Sequence, residues 1–174
     1  MIQTAHTADL DAATLDRCRA LLAEAFDDLG DDDWEHSLGG MHALLWEDAD
    51  LVAHACVIQR RLLHRGRALR AGYVEAVAVR PDRKRGGRGS AVMAEAERVI
   101  RAAYQLGALG ATDEAIPFYR GRGWRRWRGP TSALTPRGVV RTPDDDDAVF
   151  VLPVAVPLDL DGELTADCRD GDVW

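Results

Sequence analysis

The chain has 174 residues, 47% of them hydrophobic, and a formal net charge of −7. That size and apolar content are typical of a globular chain, so a single domain spanning 1–174 with a real core is expected. No apolar run approaches the roughly 18–20 residues of a membrane span, and the acidic balance without a recognition-helix or base-stacking motif argues against a nucleic-acid partner.

The N-terminus, Met1-Ile2-Gln3-Thr4-Ala5-His6, has neither a basic n-region nor an apolar h-region, so no signal peptide is expected. Ile2 to His6 reads as a short strand. Asp9 or Thr7 is placed to cap a helix carrying Leu10, Leu15, Cys18, Leu21, Leu22 and Ala25 on one side. Asp27 to Asp33 reads as an acidic loop and Trp34 to Leu38 as a helical turn, broken by Gly39-Gly40. Met41 to Trp46, Leu51 to Leu63 and Ala68 to Val79 read as three antiparallel strands, turned at Glu47 to Asp50 and at His64-Arg65-Gly66-Arg67. From about Gly87 to Tyr104 the apolar residues Val92, Met93, Ala96, Val99 and Ile100 recur at helical spacing. Leu106 to Ala111 is a short strand, and Ala115 to Arg122 a second helix ended by Gly121 or Gly123. Trp124 to Trp127 and Ser132 to Leu134 are expected to pair with Val149 to Val156 across a long loop at Thr135 to Asp147. The order β-α-β-β-β-α-β-α-β-β makes the chain α+β, without internal repeats.

Cys18, Cys56 and Cys168 are odd in number and far apart. They fit reduced cytoplasmic thiols better than a disulfide framework or a zinc site, and no metal is expected. The charges are segregated. Basic residues cluster at Arg80 to Arg88 and again from Arg120 to Arg128; acidic ones cluster at Asp27 to Glu35, at Asp144 to Asp147 and from Asp159 to Asp172. Each run alone reads as a solvated loop. Together they give one pole for an anionic cofactor and another for a cationic substrate.

The most telling segment is the one after the third long strand, Arg80-Pro81-Asp82-Arg83-Lys84-Arg85-Gly86-Gly87-Arg88-Gly89-Ser90. A strand feeds a glycine-rich basic loop that opens a helix. Unpaired N–H groups and the positive end of the helix dipole suit a phosphate anion there. Gly87 and Gly89 lack the Cβ atoms that would hold a pyrophosphate away. The Walker A order is absent, because Lys84 precedes the glycines, and the dinucleotide fingerprint fails at Val92.

Lys84-Arg85-Gly86-Gly87-Arg88-Gly89 resembles the acyl-CoA loop Arg/Gln-x-x-Gly-x-Gly/Ala of the GCN5-related N-acetyltransferases (GNAT), with Lys in the first place. Ala115, Tyr119, Gly123 and Trp124 resemble that family's A-x-x-x-Y-x-x-x-G-F/W segment. Asp33 to Leu44, Tyr73-Val74-Glu75, Gly129 to Ser132, Arg141 to Asp146 and Gly171 to Trp174 are similar to the aminoglycoside 2′-N-acetyltransferases of mycobacteria and related bacteria. The resemblance runs from near the N-terminus to the last residue. It implies the GNAT acyl-CoA N-acyltransferase fold, with acetyl-CoA as co-substrate where the fourth and fifth strands splay. The backbone of Val77, Ala78 and Val79 is implied to pair with the pantetheine arm, with an N–H near Val77 on the oxyanion. Lys84, Arg85, Gly86, Gly87, Arg88, Gly89 and Ser90 are implied to hold the pyrophosphate. Glu75 is the implied base and Tyr119 the implied acid, with Ala76 beside the acceptor. Asp28, Asp33, Glu75, Asp145, Asp172 and Trp174, the last through a terminal carboxylate, match acceptor-binding positions; Trp174 is counted with the catalytic residues as well. Gly110 and Ala111 stand where the family often has serine. A cytoplasmic homodimer is also implied. Two alternatives remain: the same chemistry on another amine (a polyamine, amino sugar or peptide N-terminus), and a non-catalytic protein that binds acyl-CoA or a cation.

Overall fold

The computed structural model describes every residue from Met1 to Trp174. The chain gathers into two compact units, Met1–Ile58 with Val74–Val99, and Gln59–Tyr73 with Ile100–Trp174. No helix is long and apolar enough to cross a membrane.

In the first unit β1 (Ile2–His6) pairs antiparallel with β2 (Met41–Glu47), and β2 with the first part of β3 (Asp50–His64). The end of β4 (Arg67–Val79) runs beside β3, as the hydrogen bond from the Arg80 N–H to the Val52 carbonyl records. Helix α1 (Ala12–Ala25) is capped by Asp11, whose carboxylate accepts from the Thr14 N–H at 2.8 Å. The sequence reading placed that cap at Asp9 or Thr7; those residues instead form a separate short turn, Thr7–Asp9. Cys18, Leu21 and Leu22, on one face of α1, bury against Trp34, Leu44, Leu51 and Ala78. Helix α2 (Asp31–Glu35) starts inside the acidic run, earlier than the turn expected from Trp34. Its reason is local: the Asp33 carboxylate reaches back to accept from the Gly30 N–H at 2.8 Å, closing the first turn. Helix α3 (Arg88–Ala103) buries Val92, Met93, Ala96 and Ile100 of the stripe its spacing predicts, with Val99 half-buried.

In the second unit the remaining strands are β5 (Leu106–Gly110), β6 (Arg125–Arg126), β7 (Thr131–Thr135), β8 (Gly138–Arg141), β9 (Val149–Pro153) and β10 (Leu164–Asp167). Their sheet order is β6-β9-β5-β4-β3-β10-β7-β8. Helix α4 (Ile116–Gly121) follows β5. A core of Leu62, Tyr73, Leu106, Trp127, Val151 and Leu164 fills this unit.

The expected pairing of Ser132–Leu134 with β9 does not form. β7 pairs antiparallel with β8 and parallel with β10. The supposed loop from Thr135 to Asp147 therefore contains a hairpin strand, and the acidic tail contains β10. The β6–β9 pairing is as expected, with Arg125 opposite Val151. β4 pairs with β5 over Ala71–Tyr73 only, in parallel. From Val74 onward the β4 backbone has no partner in β5.

Candidate active site

In the first unit, the end of β4 beyond its pairing with β5 presents Glu75, Ala76, Val77, Ala78 and Val79 in succession. Glu75, Ala76, Val77 and Val79 are half-buried, and Ala78 is buried. Ala76 has φ +55°, a left-handed conformation inside a strand, where a residue with a Cβ is uncommon and strained. This departure from regular extension sets the directions of the Glu75 side chain before it and the Val77 N–H after it. A backbone N–H on the side of β4 that faces away from β3 is the kind of donor that stabilises an oxyanion.

The loop after β4 resolves the basic cluster into two groups. Arg80 pairs with Asp82 at 2.7 Å and Asp50 at 3.1 Å, while Arg88 pairs with Glu47 at 2.7 Å. Hydrogen bonding from Arg88 holds the Glu47 carboxyl below the usual carboxylate range. Lys84, Arg85, Gly86, Gly87 and Ser90 are exposed. Gly87 has φ +77° and its carbonyl accepts from the Ala91 N–H at 3.0 Å, so it caps α3. A sixteen-residue helix thus begins at an exposed, glycine-lined turn beside two cations, which is chemistry for a phosphate.

Of the acidic residues in this unit, Asp28 is exposed and Asp33 half-buried. Asp33 has a structural duty as the first-turn cap, which engages one of its oxygens. Asp31 is paired with Arg19.

In the second unit, Tyr119 on α4 is buried, packed edge-on against Phe118 and Trp124 with ring centroids 5.3 and 6.2 Å away. Burial pushes its phenol up to about 12, opposed by Arg122. The side chain is therefore un-ionised at neutral pH.

The acidic tail divides in the same way as the basic loop. Asp159 pairs with Arg65 at 2.6 Å, Asp161 with Arg128 at 2.6 Å, and Asp167 with Arg60 at 2.7 Å; Asp146 pairs with Arg141 at 2.7 Å. These are structural pairs. Asp145 differs. Its carboxyl is raised above the ordinary value, first by burial, then by the negative charges of Asp172, Asp144 and Asp146. A carboxylate disfavoured by its neighbours in this way gains from a cation placed among them.

Trp174 is 9% exposed and its indole Nε1 donates to Thr142 Oγ1 at 3.0 Å. The residues before it are fastened too. Arg169 Nε donates to the Asp172 carbonyl at 2.7 Å, and Arg60 Nη1 to the Val173 carbonyl at 2.6 Å. Arg60 is 4% exposed, also grips Asp167, and lies 4.7 Å above the Tyr73 ring. Sequence reasoning passed over Arg60 and gave Thr142, within the Arg141–Asp146 stretch, no role of its own; their partners lie 113 and 32 residues away. At Gly110 a Cβ would stand 3.2 Å from the Trp174 carbonyl carbon. A serine there would need Trp174 to shift, which accounts for the glycine. No group of three or more His, Cys, Asp or Glu side chains is arranged to hold a metal ion. Cys56 donates to the Ser37 carbonyl at 3.1 Å, and burial pushes its thiol far up, which leaves it unreactive.

Residues 7–127 match the family model described as an acetyltransferase (GNAT) domain. The chain is 56% identical over 174 residues to an aminoglycoside 2′-N-acetyltransferase of Mycolicibacterium fortuitum, covering 97% of this chain and 89% of that one. Among solved structures it resembles ElaA of Escherichia coli, with TM-score 0.62, 17% identity, and coverage of 87% of this chain and 98% of that one. It resembles equally a GNAT family acetyltransferase from Brucella melitensis in complex with acetyl-CoA, with TM-score 0.62, 14% identity and 94% of each chain covered. At those identities the structural likenesses speak for the fold.

Proposed function

The chain belongs to the GNAT family and is an acetyl-CoA-dependent N-acetyltransferase; from that premise we propose that it acetylates the 2′-amine of aminoglycosides. The observation that carries the acceptor is the 56% identity, over nearly the whole chain, to an enzyme of that activity. The raised Asp145, with Asp172 as a neighbouring charge, supports it, because a polycation would relieve that repulsion.

In this reading Lys84, Arg85 and the N–H groups from Gly86 to Ser90 hold the pyrophosphate of acetyl-CoA, and Arg88 keeps the loop on Glu47. The backbone of Val77, Ala78 and Val79 pairs with the pantetheine arm as an added strand would. Asp28, Asp33, Asp145, Asp172 and Trp174 bind the acceptor, with Ala76 and Gly110 beside it. Glu75 takes a proton from the 2′-ammonium, leaving a neutral amine. That nitrogen attacks the thioester carbonyl, and the Val77 N–H stabilises the oxyanion. As the adduct collapses the C–S bond breaks. Tyr119 gives its proton to the thiolate, and the proton shed by the new amide nitrogen restores the phenol. No acyl-enzyme forms. The reading also places the protein in the cytoplasm as a homodimer.

The acceptor assignment is tested with Asp145→Asn and Asp172→Asn. Each should raise KM for an aminoglycoside, most at low salt, where charge attraction is least screened, and leave the affinity for acetyl-CoA as it is. Unchanged KM in both would remove the acidic group from acceptor binding.

A further inference from the structure

Behind the left-handed Ala76 lies a line of polar contacts that ends on it. Thr7 Oγ1 is 2.8 Å from His42 Nε2. His42 Nδ1 is 2.9 Å from His54 Nε2. His54 Nδ1 is 2.8 Å from the Ala76 carbonyl oxygen. Both imidazoles have no exposed surface. All four residues belong to the first unit.

The ends of the line fix every proton in it. A carbonyl oxygen only accepts, so His54 Nδ1 carries a hydrogen. His54 Nε2 of the neutral ring is then an acceptor, so His42 Nδ1 carries a hydrogen in its turn. That makes His42 Nε2 an acceptor and Thr7 the donor. Thr7 agrees, because its oxygen already accepts from the Gly39 N–H at 2.9 Å and the Gly40 N–H at 3.2 Å. The hydroxyl hydrogen is thereby directed to the histidine, the Gly40 carbonyl being its longer alternative at 3.3 Å. The line is fully satisfied and runs one way, from Gly39-Gly40 through three side chains to Ala76.

We propose that Thr7, His42 and His54 are positioning residues for the acetyl transfer: they pin the Ala76 carbonyl, hold its left-handed turn, and thereby aim the Glu75 carboxylate and the Val77 N–H. The argument for a directional rather than a merely space-filling role is this geometry. A left-handed alanine costs on the order of 1–3 kcal/mol and persists only if its surroundings hold it. The bond from the buried His54 ring is a partly buried, well-formed one to the group that turns. The proposal rests on the assignment of Glu75 and Val77 made above, and its test separates the two.

The test uses the full-length protein. Nitrogen-15 spectra at pH 7.5 should show both His42 and His54 neutral with the hydrogen on Nδ1, the less common tautomer; a hydrogen on Nε2 of either overturns the proposal. His54→Asn keeps a donor where Nδ1 stands, whereas His54→Leu removes it. The Leu variant should lose about 10–100-fold in kcat, with KM for the acceptor changed little, and the Asn variant should recover most of the loss. In a Glu75→Gln background the further loss from His54→Leu should shrink, because the group being aimed is gone. Equal losses in Asn and Leu, a Leu variant with full kcat, or full additivity with Glu75→Gln would each overturn it. Should the wild type fail to turn over any aminoglycoside, the acceptor reading falls. The Ala76 carbon-13 shifts then decide the inference alone: left-handed values retained in His54→Leu overturn it, and their loss there with retention in His54→Asn sustains it.

Discussion

Lowering the pH from 7.5 to 5 should weaken the fold through its buried imidazoles. Burial holds His54 down at about 4, against the raising effect of its bond to Ala76. Burial, then the charges of His54 and His6, holds His42 down at about 3. Both rings therefore fold neutral, while the unfolded chain protonates them near 6.5. The unfolded state binds the extra protons, so stability is fully present above about pH 6.5 and is lost as the pH falls through the folded values. For His54 alone the whole gap is worth roughly 3 kcal/mol, and the part reached by pH 5 about 2 kcal/mol. The two rings touch, so their losses do not add. For a chain of this size 2 kcal/mol corresponds to a fall in Tm of about 4–8 °C. The assay is thermal or urea unfolding at pH 7.5 and 5.0 for the wild type and for His54→Asn, whose amide does not titrate. Wild type should lose about 2 kcal/mol more than the variant over that range. Equal losses would mean that His54 is not held neutral by the fold.

Tyr119→Phe should lower kcat by roughly 10²–10⁴-fold, the usual cost of a lost general acid, with smaller effects on substrate affinity; a variant with full kcat removes Tyr119 from the mechanism. Gly87→Asp places a side chain at φ +77° and a negative charge at the phosphate turn, so acetyl-CoA should bind at least about tenfold more weakly by calorimetry, roughly 1.4 kcal/mol. Unchanged affinity would move the pyrophosphate elsewhere. Arg60→Met removes the donors to Asp167 and the Val173 carbonyl and should cost about 1–3 kcal/mol in urea unfolding, with the fluorescence of the tryptophans altered by freeing Trp174. A neutral Arg60→Met would show that Val173 is held by packing alone.

The long elements were legible because they repeat a period often enough to be seen. β2, β3, β4 and α3 stand within a residue or two of where the apolar pattern put them. β8 and β10 are four residues each, Gly-Val-Val-Arg and Leu-Thr-Ala-Asp, too short to show alternation, and β10 sits in an acidic stretch that reads as solvated. β7 joins β10 because of partners distant in sequence, which no local pattern reports. The cap of α1 was misplaced because Thr7, Asp9 and Asp11 are all capable, and only Asp11 is bonded to Thr14. At the site, the glycine-basic loop was visible as composition, whereas the division of its cations was not: Glu47 and Asp50, which engage Arg88 and Arg80, come from the β2–β3 turn. The histidine line was invisible for the same reason, its members being joined across three strands.

The central claim is that the acceptor nitrogen is the 2′-amine of an aminoglycoside. Coenzyme A release should be followed with purified protein, acetyl-CoA and matched aminoglycosides carrying either a 2′-amine or a 2′-hydroxyl, and the acetylated position read by NMR. The account predicts turnover of the amine series alone, with the new acetamide at the 2′ position. Equal turnover of the 2′-hydroxyl series, or acetylation at another amine, would contradict it.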